Sequence, residues 1–270
     1  MKKNLFIILI LTFFSYPFVG WSADADKGFV AFQRGDFATA LREWTPLAKK
    51  GNSYAQYSLG VMYEKGKGVI QDYKIAVKWY RLAAEQGSRH AQYNLGVMYD
   101  KGRGVIQDYK TALKWYRLAA EQGFFSAQYN LGVMYGKGKG VLQNYKTAVK
   151  WYRLAAEQGD ANAQFNLGMM YHKGHGVLQD YKTAVKWYRL AAEQGDANAQ
   201  NNLGVRYKKG QGVLQDYVRA HMWFNIAAIS GENKNASKNR EIIAKEMSSS
   251  QIEKAQKLAR ECVEKKYKGC

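Results

Sequence analysis

Side chains able to do chemistry are few in this chain and poorly grouped. In 270 residues there are four histidines, His90, His172, His175 and His221, and two cysteines, Cys262 and Cys270. His172-Lys173-Gly174-His175 has the look of a metal pair, but no third or fourth ligand lies nearby in the sequence, and a structural zinc takes four. Asp72, Asp108, Asp180 and Asp216 recur like a set of acids, yet Asn144 takes the same place in the series. Asparagine caps a helix as well as aspartate does and cannot give up a proton. GKGKGV, Gly136 to Val141, has the glycines of a phosphate loop without the GxxxxGK[ST] spacing, and it follows a helical pattern rather than a strand. No Ser/His/Asp or Cys/His arrangement can be drawn. These residues point away from catalysis, and neither a cofactor nor a metal is expected.

What the sequence does contain is repetition. KWYRLAAEQG begins at Lys78, Lys114, Lys150 and Lys186, unchanged and always 36 residues apart. Set on a common frame, Ala55–His90, Ala91–Ser126, Ala127–Asn162, Ala163–Asn198 and Ala199–Lys234 form five repeats. A fixed period of this length marks a stack of supersecondary units, each burying its apolar face on its neighbours. In Ala91–Ser126, helical spacing of Ala91, Leu95, Met98 and Tyr99 predicts a helix A over Arg89–Lys101. Gly102 and Gly104 stop it and turn the chain, and Asp108 caps a helix B that reaches Gln122 and ends at Gly123. Helix B is apolar over most of its circumference, as a helix sandwiched between others must be. No strand pattern competes, so the fold class is all-α.

LGVMYDKGRGV-x-x-DYKTALKWYRLAAEQG resembles the Sel1-like repeat, a relative of the tetratricopeptide repeat with a longer loop between its helices. The resemblance covers Ala55–Lys234 and implies a right-handed α/α solenoid that serves as a scaffold for protein–protein interaction. Many family members are exported bacterial proteins of the cell envelope. Asp26–Tyr54 is a degenerate, tetratricopeptide-like first unit, its two helices joined at Gly35 and the second expected to bend at Pro46. Asn235–Cys270 forms a C-terminal helical cap whose last helix is expected to open with Ser250-x-x-Glu253.

The N-terminus has the parts of a signal peptide over residues 1–25: basic Lys2-Lys3, an apolar Leu5–Phe14, and cleavage after Ala25 or, alternatively, Ala23. The apolar run is too short to span a bilayer comfortably, so no stable membrane span is expected after cleavage. The product would be periplasmic or secreted. In that setting Cys262 and Cys270 read as a disulfide holding the final helix, with a free thiol pair as the alternative. The spacing is also similar to the Cys-x7-Cys staple of cysteine-rich Sel1-like proteins. Those relatives imply a second function, an envelope enzyme or binder acting on cell-wall material or β-lactams, but their internal cysteine framework is missing here.

Lys and Arg number 41 against 22 Asp and Glu, a net charge of +19. This basicity fits a solvated face, an acidic envelope protein or peptide, or an envelope glycan; export argues against nucleic acid. Resemblance to the tetratricopeptide fold places helix A on the concave surface, where three rows line up. Tyr57, Tyr93, Tyr129 and Phe165 form an aromatic row that Asn201 breaks. Asn94, Asn130, Asn166 and Asn202 form an amide row. Lys65, Lys101, Lys137, Lys173 and Lys209 form a basic row. An acidic peptide or protein segment along these rows is the expected partner. The outer stripe of Lys, Arg, Glu and Gln in KWYRLAAEQG is read as unneeded by the stack. Its constancy then reflects either recent duplication or a binding surface.

Overall fold

The computed structural model describes residues 23–229, 231 and 233–270. The apolar stretch read as a signal peptide lies outside them, apart from Ala23, Asp24 and Ala25. These three begin the first helix, α1 (Ala23–Gln33). The described residues form fourteen helices and no strand, and the first twelve pack as six successive pairs. The first pair is completed by α2 (Phe37–Lys49), which runs on through Pro46, and Gly35 makes the turn between them at φ +79°. Five pairs follow. Their A helices are α3 (Ser53–Lys65), α5 (Arg89–Lys101), α7 (Phe125–Lys137), α9 (Ala161–Lys173) and α11 (Ala197–Lys209). Their B helices are α4 (Tyr73–Glu85), α6 (Tyr109–Glu121), α8 (Tyr145–Glu157), α10 (Tyr181–Ala192) and α12 (Tyr217–Ile229). The chain closes with α13 (Lys234–Ala244) and α14 (Ser249–Glu264), both packed on α12.

Local chemistry explains the boundaries. Asp108 Oδ1 accepts the backbone N–H of Lys110 and Thr111 at 2.9 and 3.2 Å, and Asn144 Oδ1 accepts that of Thr147 at 2.9 Å. The Asp and Asn of the series therefore satisfy the orphan donors of a helix start. Hydrogen bonds from Thr111 hold the Asp108 carboxyl below its ordinary range, so it stays an anion. At the chain's end the sequence expectation is corrected. The capping box is Ser248 with Gln251, not Ser250 with Glu253: Gln251 N–H donates to Ser248 Oγ at 3.3 Å, and Ser248 N–H to Gln251 Oε1 at 2.9 Å. Starting two residues earlier lets both donors of the first turn find partners reciprocally.

The fully buried core residues group each B helix with the next A helix. One cluster joins Ala76, Val77, Tyr80, Ala83 and Ala84 of α4 to Ala91, Leu95 and Met98 of α5, and Trp115 of α6 leans on it from the next B helix. The same grouping recurs around α6 and α7 and around α8 and α9. Two glycines per repeat permit this closeness. A Cβ on Gly96 of α5 would lie 2.7 Å from the Tyr116 ring, so the helix-A glycine is where the two helices of a pair touch. The second loop glycine, Gly104, has φ +69°, and a Cβ there would meet the Tyr73 carbonyl at 2.4 Å. Each loop is thereby seated on the first residue of the previous helix B, where only glycine fits.

Two polar ladders tie the helices together, and they overturn the reading of the KWYRLAAEQG arginine and glutamine as dispensable, while its lysine and glutamate make no such bridge among the described residues. Arg81, Arg117, Arg153 and Arg189 donate through Nη2 to Tyr99, Tyr135, Tyr171 and Tyr207 of the next helix A, at 2.6, 2.6, 2.6 and 2.8 Å. Gln86, Gln122, Gln158 and Gln194 donate to the buried Gln56, Gln92, Gln128 and Gln164 at 2.7 to 2.8 Å. Those buried amides donate in turn to carbonyls of the preceding B helix, as Gln92 does to Ala84 O at 3.1 Å. Arg and Gln each bridge helices, which gives the stack a use for both. Where the stack stops, position 225 holds Asn225, which accepts from Arg240 of α13 at 3.0 Å.

Candidate functional site: the helix-A face

The three predicted rows occupy equivalent positions on successive A helices, and the structure gives each a distinct environment. Tyr57, Tyr93, Tyr129 and Phe165 are half-buried. Their ring centroids sit 5.9, 5.8, 6.1 and 5.9 Å from those of Tyr80, Tyr116, Tyr152 and Tyr188 on the paired B helix. Much of each aromatic face is thus spent on packing. Asn94, Asn130 and Asn166 are half-buried too and turn towards tyrosine hydroxyls of the preceding repeat. Burial pushes the Tyr57, Tyr93 and Tyr129 hydroxyls up, and hydrogen bonding from Asn94, Asn130 and Asn166 respectively offsets part of that. The amide row therefore supports the stack as well as lining the surface.

Lys101, Lys137 and Lys173 are exposed in the last turn of their helices, just before a left-handed C-cap glycine. Here the repeats differ. Lys65 pairs with Glu64 at 3.3 Å and Lys101 with Asp100 at 3.4 Å. The residue preceding the lysine is then Gly136, His172 and Lys208 in the third, fourth and fifth repeats. Lys137, Lys173 and Lys209 consequently have no ion pair among the described residues. Along this lysine row the ion pairs of the first two repeats are absent from the last three.

The fifth repeat also holds a residue the sequence reading passed over. Arg206 stands where the four earlier repeats carry Met62, Met98, Met134 and Met170. It is 5% exposed. Its Nη1 donates to His172 Nδ1 at 3.1 Å and to Gln211 Oε1, and its guanidinium lies 5.5 Å from the Tyr181 ring centroid. Because arginine can only donate, His172 Nδ1 must accept, which places the imidazole proton on Nε2. Burial and the Arg206 charge hold His172 below its ordinary value, in keeping with that neutral form. Arg206 Nε is buried without a partner. Beside it opens a cavity of about 290 Å³ lined by Met169, His172, Lys173, Asn198 and Asn202 among others. Asn201, the break in the aromatic row, is buried and accepts from Asn239 of α13 at 2.9 Å. It serves the cap. The visible signal for Arg206 was the Met-to-Arg change itself, a large charged residue at a core position.

The His175 ring stacks on Tyr145 at 4.5 Å. Among the described residues no group of three or more His, Cys, Asp or Glu side chains is placed to hold a metal ion. Cys262 and Cys270 have their sulfur atoms at bonding distance, 2.07 Å. No described helix is long and apolar enough to cross a membrane.

The profile of the Sel1 repeat matches residues 53–88, 89–124, 125–160, 161–196 and 197–232. Each unit begins on the first residue of an A helix. This chain belongs to the Sel1 repeat family. A solved Sel1 repeat protein from Oxalobacter formigenes is 36% identical, with a TM-score of 0.77 over 88% of this chain and 99% of that one. A protective antigen present in uropathogenic Escherichia coli strains, also of this fold, is 30% identical over 90% of this chain and 69% of its own, at a TM-score of 0.45. No curated protein matches the chain. Sel1 repeat proteins generally mediate protein–protein interaction, and this chain carries five such repeats.

Proposed function

We propose that this Sel1 repeat protein is an exported, non-enzymatic interaction module that binds an acidic peptide or protein segment along its helix-A face. The observation that carries the reading is the loss of acidic partners beside the lysine row, from Glu64 and Asp100 to Gly136, His172 and Lys208. Surface lysines held next to carboxylates are internally compensated. Lys137, Lys173 and Lys209 are not, and an anionic partner would complete them. Tyr93, Tyr129 and Phe165 supply contact area beside them, and Asn94, Asn130 and Asn166 supply amide groups able to pair with a peptide backbone. Export is supported by the signal-like N-terminus and by the cysteine pair. Removal of residues 1–25 takes Lys2, Lys3 and Asp24 with it and leaves a net charge of +18.

The test uses the lysines, because the half-buried amides also serve the fold. Mature protein and a K137E/K173E/K209E variant are immobilised and exposed to envelope extract in low and high salt. A partner retained at low salt, released at high salt and held at least tenfold more weakly by the variant supports the reading. Equal retention by both proteins would move the site away from the A helices.

A further inference from the structure

The cavity beside Arg206 has a chemistry the rest of the stack lacks. We propose that it is a carboxylate-binding anchor, with the Arg206 guanidinium as its principal donor and Lys173, Asn198 and Asn202 around it. This deepens, and rests on, the reading of the helix-A face as a surface for an acidic partner.

Three observations converge. First, Arg206 is buried without an acidic counterpart. No Asp or Glu lines the cavity, and no ion pair to Arg206 occurs among the described residues. Burying a cation without its counter-charge is costly, whereas an incoming carboxylate supplies the missing charge. Second, the fold does not require arginine here, since methionine fills the same position in four neighbouring repeats. An arginine that replaces a good core residue and finds no acid inside the protein has the pattern of a group kept for a ligand. Third, the guanidinium is oriented in advance. His172 and Gln211 both take Nη1, and Tyr181 lies against the guanidinium. Nε is unpartnered, and Nη2 has no hydrogen bond among the described residues. Nε and Nη2 together form the side-on edge that grips a carboxylate through two parallel bonds. The cavity, at about 290 Å³, has room for a carboxylate on a short stem and not for a folded surface.

A carboxylate of this kind can be an Asp or Glu side chain or the C-terminus of a peptide. The experiment separates these sources and keeps the anchor distinct from the groove. Acetate, against matched chloride, is titrated into the protein while the His172 ring is followed by NMR; binding next to Arg206 should raise the His172 titration midpoint. Fluorescent acidic peptides with a free C-terminus, and the same peptides amidated, are then measured on the native protein and on R206M. R206M reproduces the residue type of the other repeats and should fold. Loss of the acetate response and at least tenfold weaker peptide binding in R206M support the anchor. A matching loss on amidation assigns the chain terminus, and its absence assigns a side chain. Undiminished peptide binding by R206M overturns the anchor and leaves the helix-A reading standing. Acetate sensed in the native protein with no peptide binding overturns the helix-A reading and leaves the anchor. A His172 ring indifferent to acetate overturns the anchor outright.

Discussion

Arg117 Nη2 reaches across a repeat boundary to donate a 2.6 Å hydrogen bond to Tyr135 Oη, eighteen residues further along the chain. Three other Arg–Tyr pairs repeat the relationship at 2.6 to 2.8 Å. The bond is charge-assisted but exposed, so it contributes about 1 kcal/mol. We expect R117M and Y135F each to lose about that much in urea denaturation, and the double variant no more than either. Additive losses in this cycle would show that the two side chains do not act together.

The loop glycines give a sharper expectation. Gly140 has φ +67°, and a Cβ there would lie 2.6 Å from the Tyr109 carbonyl group, whereas Gly123 at φ +80° has nothing within 4 Å. G123A carries backbone strain alone, about 1–2 kcal/mol. G140A adds a collision with the backbone of the preceding repeat and should cost more than about 3 kcal/mol. Chemical denaturation of both variants measures the difference. Equal costs would mean that the loop is not seated against its neighbour.

Acid should weaken the C-terminal end of the stack. His221 is 3% exposed with Nδ1 unpartnered, and burial, followed by the nearby Arg240, holds it below the ordinary imidazole value of 6.5. The unfolded chain therefore takes up a proton at a pH where the folded one still refuses it. Stability present above about pH 6.5 is lost as pH falls towards the folded value. Equivalent positions hold Val77, Leu113, Val149 and Val185. H221V should melt higher than the native protein and lose less between pH 7 and 5, read by circular dichroism. A decline of the same size in both proteins would place the sensitivity elsewhere.

Reduction of the Cys262–Cys270 pair should act locally. The closed loop is short, with a sequence separation of 8, and the loop-entropy estimate gives about 2–3 kcal/mol. Native protein should have a mass two hydrogens below the reduced form. After reduction, hydrogen exchange should quicken in α14 and leave α5 to α8 unchanged. Two alkylatable thiols in freshly isolated protein would contradict the bonded state.

Helix positions were legible because glycine, capping residues and apolar spacing recur every 36 residues; α5 runs from Arg89 to Lys101, the span read from spacing alone. The Arg and Gln ladders were not legible from one helix. Their partners lie eighteen and thirty residues away, and an arginine that bonds a neighbouring tyrosine looks in sequence like one facing water. The signal lay in pairs: Arg and Tyr recur together four times, and the arginine gives way to Asn225 when no further tyrosine follows. The cap fell on Ser248 rather than Ser250 because Gln251 reaches back to the Ser248 backbone N–H. Of the candidate site, the rows were visible as periodic identities. Their share of packing was hidden, because a half-buried tyrosine and a ligand-facing one obey the same spacing.

The seating of each loop glycine on the previous helix B, together with ladders that cross a single boundary, has a mechanical consequence. Among the described residues no hydrogen bond spans three repeats, so tension applied to the two ends falls on one junction at a time. Such a chain yields by successive detachments of near-identical strength, each releasing about one repeat of contour, in the manner of a tether that lengthens in steps.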